Sequence, residues 1–349
     1  MLLSVGRPFD PNAVGANAIL ARLVKWERLG LGALLIWLLV APDGQAGAQT
    51  GSFADWLAQF RQEAAAAGIS VTTLDRALDG LEPIPDVIER DRRQPEGRLT
   101  FRDYNRRVLS PTRIERGRAL MREHQALLER VAADYGVQPR FIVALWGIES
   151  NYGSFAGEFP VIGALATLAY EGRRAAFFRK ELLQALRIIE QGDVAPAQMM
   201  GSWAGAMGQS QFMPSSYVAH AVDYDGDGRR DIWTSPPDVF ASIANYLAKA
   251  GWNHRHTWGR PVLIPDRAKV DAAGLDVVRP LPEWHALGVR RSNGDALPVV
   301  ALDASLLRMD DGAGPAYLVY SNFRVLMAWN RSTYFALTVG ELADLIDRG

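Results

Sequence analysis

Apolar residues recur every three or four positions through most of the chain, which is the spacing of one face of an α-helix. Residues 52–80 begin this pattern with Phe53 and Trp56. It returns in four later segments, the last with Asp238 predicted as its N-cap and Gly251 as its C-terminal stop. These segments are 139–150, 161–170, 174–191 and 238–250. The chain is therefore predicted to be mainly α.

Prolines mark two boundaries in the first half of the chain. Residues 82–104 are rich in proline and charge and are predicted to form an extended strap over the surface. Ser110 and Pro111 are a capping residue and a proline suited to the first helical position, so a helix is predicted to begin there. That helix is predicted to run to Tyr135, where Gly136 ends it.

The periodicity changes between residues 261 and 324 to short β-rich runs separated by turns. Residues 305–309 and 317–320, on either side of a turn at 310–314, are predicted to form a β-hairpin. A last helix is predicted over residues 333–347 and is expected to pack back on the helical body. A small β-containing insert thus interrupts an otherwise helical chain.

An uncharged apolar run near the N-terminus has the features of an export signal. It covers 13 residues, 29–41, follows Lys25 and Arg28, and precedes the small residues 46–48. As a helix it would be about 20 Å long, shorter than a hydrocarbon layer of about 30 Å. A cleaved secretory signal is therefore predicted. An uncleaved anchor or a buried helix is the alternative.

Composition narrows the possible functions. With 349 residues, of which 48% are hydrophobic, the chain can bury a substantial core. It is predicted to form two subdomains around one cleft. A formal net charge of −1 argues against nucleic-acid binding through a broad basic surface. The absence of cysteine excludes disulfides, thiolate nucleophiles and thiol-linked lipid anchors. Any catalysis must use carboxylates, hydroxyls, the five histidines or an oxygen-bound metal.

Glu149 is the first candidate for chemistry. It stands in the last turn of the predicted helix 139–150, after Ile148 and shortly before Gly153. Helix carbonyl ends and desolvation both disfavour a negative charge there, so its pKa is predicted to be raised. A carboxyl group of that kind suits general-acid catalysis near neutral pH. The alternative is a solvated glutamate at an ordinary helix end.

Residues 201–217 are the second candidate segment. They are rich in glycine and small residues, which let a backbone approach a ligand closely. Gln211 could hydrogen-bond sugar hydroxyls or acetamido groups beside an aromatic wall such as Phe212. The segment is predicted to line a cleft, and a glycine-rich turn entering a helix is the alternative.

Residues 223–228, D-Y-D-G-D-G, match the opening of an EF-hand calcium loop. The expected ligands are Asp223, Asp225, Asp227 and the carbonyl of Arg229. The loop departs from a standard hand because Thr234 occupies the position of the usual bidentate glutamate. A structural Ca²⁺ ion is predicted, and an Asp/Gly turn that binds nothing is the alternative.

Three motifs, in this order and spacing, resemble the lytic murein transglycosylases of the B type. They are WGIESNYG at 146–153, GSWAGAMGQSQFMPSSY at 201–217 and ANYL at 244–247. The resemblance extends from Phe53 to the C-terminus. It implies a lysozyme-like helical core with an EF-hand-like loop, additional N-terminal helices and a small β-containing insert. It also implies a periplasmic enzyme that cleaves the β-1,4 bond between N-acetylmuramic acid and N-acetylglucosamine in peptidoglycan, leaving a 1,6-anhydromuramoyl end.

The resemblance assigns roles to individual residues, with Glu149 as the catalytic acid. Ser202, Gln211, Tyr246 and Asn330 match cleft residues of the family. Arg173 and Arg174 match a basic pair near the cleft, which is suited to the carboxylates of the peptide stem of peptidoglycan. Trp329 and Phe335 stand where family members can carry tyrosines, and stacking on a sugar face is expected to survive there. Asp238 aligns with the final acidic ligand of the family's longer loop, and Asp231 is a further candidate ligand.

These patterns divide the chain into five expected regions. They are the signal at 1–48, N-terminal helices at 49–110, the lysozyme-like catalytic core at 111–258, the β-containing insert at 259–325, and the cleft segment and helix at 326–349. A monomer without a lipid anchor is expected in the periplasm, with glycan strands as substrate and cell-wall synthases as candidate partners.

The two cleft motifs offer no obvious second acid, whereas ordinary glycoside hydrolysis uses two carboxyl groups. One carboxyl could protonate the leaving oxygen and then, as carboxylate, take a proton from the C6 hydroxyl of the same sugar. The competing hypotheses are a lysozyme-type hydrolase that leaves reducing ends, and a non-catalytic peptidoglycan-binding scaffold.

Overall fold

The computed structural model describes residues 51–93, 99–171, 173–264 and 273–348. The predicted export signal at 29–41 lies outside these residues. Within the described ranges, no helix combines the length and the apolar character needed to cross a bilayer.

The described chain is mainly helical, as predicted. The first helices are α1 (Phe53–Ala66), α2 (Val71–Leu78), α3 (Pro85–Arg92), α4 (Phe101–Val108), α5 (Pro111–Glu123) and α6 (Gln125–Tyr135). The middle of the chain forms α7 (Pro139–Ser150), α8 (Val161–Glu171), α9 (Ala175–Glu190), α10 (Pro214–His220) and α11 (Pro236–Lys249). The last are α12 (Leu281–Ala286), α13 (Ser321–Trp329) and α14 (Thr333–Asp347). A short ladder pairs β1 (Phe159–Pro160) with β2 (Met200–Gly201).

The prediction of an extended strap at residues 82–104 is wrong. This stretch contains α3 and the start of α4. Pro85 is the first residue of α3, where its missing N–H costs nothing, so it opens the helix instead of preventing it. Thr100 caps α4, because its side chain accepts a hydrogen bond from the backbone N–H of Asp103 at 3.2 Å.

Two helix boundaries also differ from prediction. The single helix predicted from Pro111 to Tyr135 is divided at His124 into α5 and α6, although Gly136 ends α6 in a left-handed conformation as predicted. The N-cap of α11 is Ser235 and not Asp238, because the Ser235 hydroxyl accepts the N–H of Asp238 at 3.4 Å. Asp238 instead lies buried in the first turn.

Helix α7 is the centre of the helical body. Every residue from Phe141 to Ser150 is buried. The helix is therefore enclosed on all faces, whereas the sequence pattern predicts burial of one face. Helices α5, α6, α11 and α14 pack around it. Because burial of apolar surface is the main favourable term in folding, the position of this helix is strongly fixed.

In the described part of the insert the strands are β3 (Gly259–Leu263), β4 (Val278–Pro280), β5 (Arg290–Arg291), β6 (Asp303–Arg308) and β7 (Ala316–Val319). They form one antiparallel sheet in the order β4-β6-β7-β3-β5. The predicted hairpin is confirmed, since Ser305 pairs with Val319 and Arg308 with Ala316. The sheet has its own core, in which Trp284 and Leu281 are fully buried.

Asp310, in the turn of this hairpin, connects the sheet to the helices. Its carboxylate Oδ1 accepts hydrogen bonds from the backbone N–H of Phe101 at 2.9 Å and from the hydroxyl of Tyr334 at 2.6 Å. Phe101 begins α4 and Tyr334 lies in α14. The hairpin turn therefore holds an N-terminal helix and the last helix together.

Candidate active site

Glu149 lies at the end of α7, where the chain reverses sharply. Asn151 and Tyr152 both adopt left-handed φ angles, of 50° and 59°. For an aromatic residue this conformation is strained, and it persists only where surrounding contacts hold it. The Tyr152 hydroxyl donates to the carbonyl of Arg113 at 2.8 Å, and its ring lies so close to Gly147 that a Cβ there would be 2.5 Å away. The turn after Glu149 is therefore firmly held.

The Glu149 carboxyl group is desolvated. The residue is 6% exposed, and burial raises its pKa to about 8. The indole Nε1 of Trp329 donates a hydrogen bond to Glu149 Oε1 at 2.7 Å, which lowers the pKa but does not offset burial. The raised pKa at a helix end agrees with the sequence prediction, and the group is protonated at neutral pH.

Aromatic side chains adjoin this carboxyl group. The Trp329 ring centroid lies 5.2 Å from that of Phe212 and 4.7 Å from that of Tyr246, and the Tyr246 hydroxyl donates to the carbonyl of Ala328 at 2.8 Å. Phe212 is buried, whereas Tyr246 and Trp329 are partly exposed. The structure thus brings together Glu149, Phe212 and Tyr246 from three separate motifs, with Trp329 between them.

The glycine-rich segment forms a tight loop beside these rings. Ser202 Oγ accepts the backbone N–H of Ala206 at 3.0 Å. Gln211 has a left-handed φ of 50°, and its Nε2 donates to the carbonyls of Ala156 at 3.0 Å and Gly208 at 2.8 Å. Both predicted cleft residues therefore help to shape the loop itself.

Asn330 and Phe335 have different environments. Asn330 follows Trp329 at the end of α13, and its Oδ1 accepts the backbone N–H of Ser332 at 3.0 Å. Phe335 is fully buried in the core, so the expectation that it could stack on a sugar is wrong. It lies in the first turn of α14, and its ring fills the interior of the helical body.

Arg173 and Arg174 contact residues of α3 and α9. Arg173 donates to the carbonyl of Asp91 in α3 at 2.9 Å, and the Arg174 guanidinium lies 5.0 Å from the ring centroid of Phe178 in α9. Arg173 is exposed and Arg174 partly so.

Tyr104 was missed by the sequence analysis. It is nearly buried in α4, and its ring lies 5.8 Å from that of Tyr334. Burial, and secondly the negative charge of Glu149, raise the pKa of Tyr104. The available signal is the helical spacing of Phe101, Tyr104 and Val108, of which only the first two fall within the predicted strap 82–104.

The acidic loop brings its three carboxylates together. One oxygen from each of Asp223, Asp225 and Asp227 lies within 4.8 Å of the other two. The carboxylate of Asp223 accepts the N–H groups of Gly226 at 2.7 Å and Gly228 at 2.9 Å, which curls the loop around it. Such a set of oxygen atoms is chemically suited to Ca²⁺.

Asp238 and Asp231 stabilise the backbone around this loop. The two oxygens of Asp238 accept the N–H groups of Tyr224 at 2.8 Å and Asp231 at 2.7 Å, so they join the two ends of the loop. Asp231 Oδ1 accepts the N–H groups of Trp233 and Thr234, both at 2.8 Å. The Arg229 guanidinium pairs with Asp227 at 2.9 Å.

Comparison with known proteins places this geometry in a family. The family model for the transglycosylase SLT domain matches residues 52–344. Membrane-bound lytic murein transglycosylase B of Escherichia coli (strain K12) is 32% identical over 257 residues, which cover 70% of this chain and 66% of that protein. The alignment thus spans just under two thirds of the length of this curated relative.

Solved structures agree in fold. The crystal structure of SltB3 from Pseudomonas aeruginosa in complex with NAG-NAM-pentapeptide has 47% sequence identity and a TM-score of 0.84, covering 86% of this chain and 81% of that one. The structure of Escherichia coli lytic transglycosylase Slt35 in complex with calcium has 28% identity and a TM-score of 0.74, covering 89% and 99% of the two chains. From its sequence and its fold alike, this chain belongs to the transglycosylase SLT domain family and, within it, to the lytic murein transglycosylases of the B type.

Proposed function

We propose that this protein cleaves peptidoglycan glycan strands as a lytic transglycosylase, with Glu149 as the only acid and base. The observation that carries the proposal is the buried Glu149 carboxyl, whose pKa near 8 keeps it protonated at neutral pH and whose Oε1 accepts the Trp329 indole N–H. Among the described residues, no second carboxylate contributes to that pKa shift. A lone, protonated carboxyl group suits acid catalysis without an acidic partner.

In the first step Glu149 donates its proton to the glycosidic oxygen between N-acetylmuramic acid and N-acetylglucosamine. The bond from C1 of the muramic acid to that oxygen breaks, and the leaving sugar departs with the proton as its new hydroxyl group. Glu149 is then a carboxylate. The Trp329 N–H stabilises this form, because a hydrogen bond to an ionised acceptor is stronger than one to a neutral acceptor.

In the second step the carboxylate takes the proton of the C6 hydroxyl of the same muramic acid. The C6 oxygen forms a bond to C1, which closes the 1,6-anhydro ring and returns the proton to Glu149. Water is not consumed. Ionised Glu149 is a good acceptor for this proton, because burial favours its neutral form.

The aromatic residues beside Glu149 support a sugar-binding role. Trp329 is partly exposed and contacts the carboxyl group, and its ring packs against the partly exposed Tyr246 and the buried Phe212. Aromatic faces next to hydrogen-bonding groups suit a carbohydrate. We assign Ser202, Gln211 and Asn330 to the polar contacts of this cleft, and Arg173 and Arg174 to the peptide stem.

The acidic loop is proposed to bind a structural Ca²⁺ ion. The proposed donors are Asp223, Asp225 and Asp227, the carbonyl of Arg229, and Asp238, whose oxygens also join the two ends of the loop. Three carboxylates held within 4.8 Å of one another repel each other unless a cation lies between them. The chemistry at Glu149 needs no ion.

The protein is proposed to act in the periplasm after export. The apolar run 29–41 and the small residues 46–48 support a cleaved signal. Digestion of purified peptidoglycan sacculi followed by mass analysis of the products tests the proposed function, because a lytic transglycosylase product is lighter than a hydrolysis product by one water.

A further inference from the structure

Gln209 lies inside the glycine-rich loop, and the residue is 9% exposed. Its carboxamide makes two hydrogen bonds of opposite sense. Oε1 accepts the indole N–H of Trp146 at 2.7 Å, and Nε2 donates to the backbone carbonyl of Trp233 at 2.8 Å. The backbone N–H of Gln209 also donates to the carbonyl of Ile232 at 2.8 Å. Gln209 is thus bound to α7 on one side and to the end of the acidic loop on the other.

These bonds reach the chain on both sides of Glu149. Trp146 is three residues before Glu149 on α7, which places the two on neighbouring positions of one helix face. Gly153, four residues after Glu149, lies directly against the carboxamide, since a Cβ there would be 2.2 Å from Gln209 Oε1. Displacement of the Gln209 side chain would therefore remove a contact on each side of Glu149, at Trp146 and at Gly153.

The same loop carries residues that are proposed to bind the sugar. Isolated β-bridges join Met207 to Gly201 and to Phe212, so the backbone of the loop is cross-linked as one unit. Ser202, Gln211 and Phe212 all belong to it. A residue that joins this unit to α7 sets the distance between the sugar-binding groups and the acid.

We propose that Gln209 is a positioning residue that fixes the position of the Glu149 carboxyl group relative to the sugar-binding loop. This inference rests on the proposed function of Glu149. Gln209 acts through Trp146 and Gly153 and does not touch the reacting atoms. Placement of reacting groups controls the rate of the chemical step more than substrate affinity, so the effect falls on kcat.

The side chain at position 209 must offer one acceptor to the Trp146 indole and one donor to the Trp233 carbonyl, and substitutions can remove these two groups. Leucine at position 209 has a similar shape but makes neither bond. An ionised glutamate would accept from Trp146 but oppose a second oxygen to the Trp233 carbonyl. A protonated glutamate donates its O–H to that carbonyl and accepts from Trp146, and so reproduces both bonds of glutamine. Burial favours the protonated form, which is present below the pKa of the introduced carboxyl group and lost as the pH rises through it.

The experiment measures kcat and KM for Gln209→Leu and Gln209→Glu on a soluble glycan-peptide substrate from about pH 5 to about pH 8. For Gln209→Leu, kcat is expected to fall at least about tenfold while KM stays within about threefold. For Gln209→Glu, the ratio of its kcat to that of the wild type rises as the pH falls. The matched controls are Gln59→Leu and Gln59→Glu, on the exposed face of α1, which leave kcat and its pH dependence unchanged.

Circular dichroism and the melting temperature establish that each variant is folded. If Gln209→Leu does not fold, the pH series of Gln209→Glu decides the question. Wild-type kcat in a folded Gln209→Leu, or a Gln209→Glu ratio that does not change with pH, overturns the inference while the proposed function stands. A wild type that releases no product from peptidoglycan overturns the proposed function and this inference with it.

Discussion

The indole Nε1 of Trp329 donates a hydrogen bond to Oε1 of Glu149 at 2.7 Å, although 180 residues separate the two in the chain. An indole can only donate, so this contact favours the carboxylate form of Glu149. Burial favours the neutral form and is the stronger effect, because the pKa is raised to about 8. The site therefore combines a protonated resting acid with a contact that stabilises its conjugate base.

Replacement of Trp329 by phenylalanine is expected to move the basic limb of the kcat/KM profile to higher pH. Activity requires protonated Glu149 and is lost as the pH rises through its pKa of about 8. Without the N–H, the carboxylate loses a stabilising contact and the pKa rises further. The expected displacement is about one pH unit, measured with a soluble glycan-peptide substrate.

The matched control is Trp252→Phe, which removes an indole hydrogen bond to Gln138 next to the opposite end of α7. Its pH profile should follow that of the wild type. A Trp329→Phe profile whose basic limb stays in place or moves to lower pH would contradict the assignment of this limb to Glu149.

Glu149→Gln is expected to stabilise the fold in a pH-dependent way. A free glutamate ionises near about pH 4.3, whereas the folded protein holds Glu149 neutral up to about pH 8. The wild type therefore loses stability as the pH rises between these values, and the glutamine variant does not. At neutral pH the variant gains up to roughly 3 kcal/mol in the free energy of unfolding.

Urea unfolding at several pH values measures this gain. The exposed Glu129→Gln serves as control and should show no comparable pH-dependent difference from the wild type. A stability difference between Glu149→Gln and the wild type that is the same at acidic and alkaline pH would rule out a buried, protonated Glu149.

Gly147→Ala is expected to lower both stability and activity. A Cβ at position 147 would lie 2.5 Å from the Tyr152 ring, so the reversal after Glu149 must shift. Overpacking of this kind costs about 1–3 kcal/mol. Gly340→Ala is the control, because its Cβ would lie 2.2 Å from the ring of Trp258 in another part of the core.

Thermal melting measures the effect on stability. Turnover, measured at a temperature where both variants are folded, gives the effect on activity separately. Gly340→Ala should lower the melting temperature and keep turnover, whereas Gly147→Ala should lower both. Equal turnover in the two variants would mean that the Tyr152 contact does not position Glu149.

Chelation of calcium with EGTA is expected to lower the melting temperature of the wild type. Calcium at a hundredfold excess over its dissociation constant would add about 2.7 kcal/mol to the stability. Asp227→Ala should abolish the sensitivity to EGTA, and the exposed Asp276→Ala should keep it. Identical wild-type melting curves with and without chelator would show that the loop holds no ion under these conditions.

Much of the fold follows from local patterns in the sequence. Helices such as α7 and α14 are long and periodic and end at recognisable signals, so their limits were predicted correctly. The missed helix α3 shows where this reasoning fails. Its charged residues mask the periodicity, only Val87 and Asp91 are buried, and Pro85 opens the helix instead of breaking it.

The candidate site was predictable only in part. Glu149 stood out because a carboxylate at an apolar helix end is electrostatically unfavourable. Its contact with Trp329 depends on how α13 meets α7, and no local pattern encodes that pairing. Tyr104 does not stand out in the sequence because the prolines before it favour an extended strap up to residue 104. The burial of Phe335 is not predictable, because helical spacing alone does not decide which aromatic ring faces the core.

The proposed mechanism requires one buried carboxyl group that both gives and takes the proton. The decisive experiment is mass analysis of the products that wild type and Glu149→Gln release from purified sacculi, with Glu129→Gln as control. We expect 1,6-anhydro muropeptides from the wild type and from Glu129→Gln, and none from a folded Glu149→Gln. Products heavier by one water, or anhydro products from Glu149→Gln at the wild-type rate, would refute this mechanism.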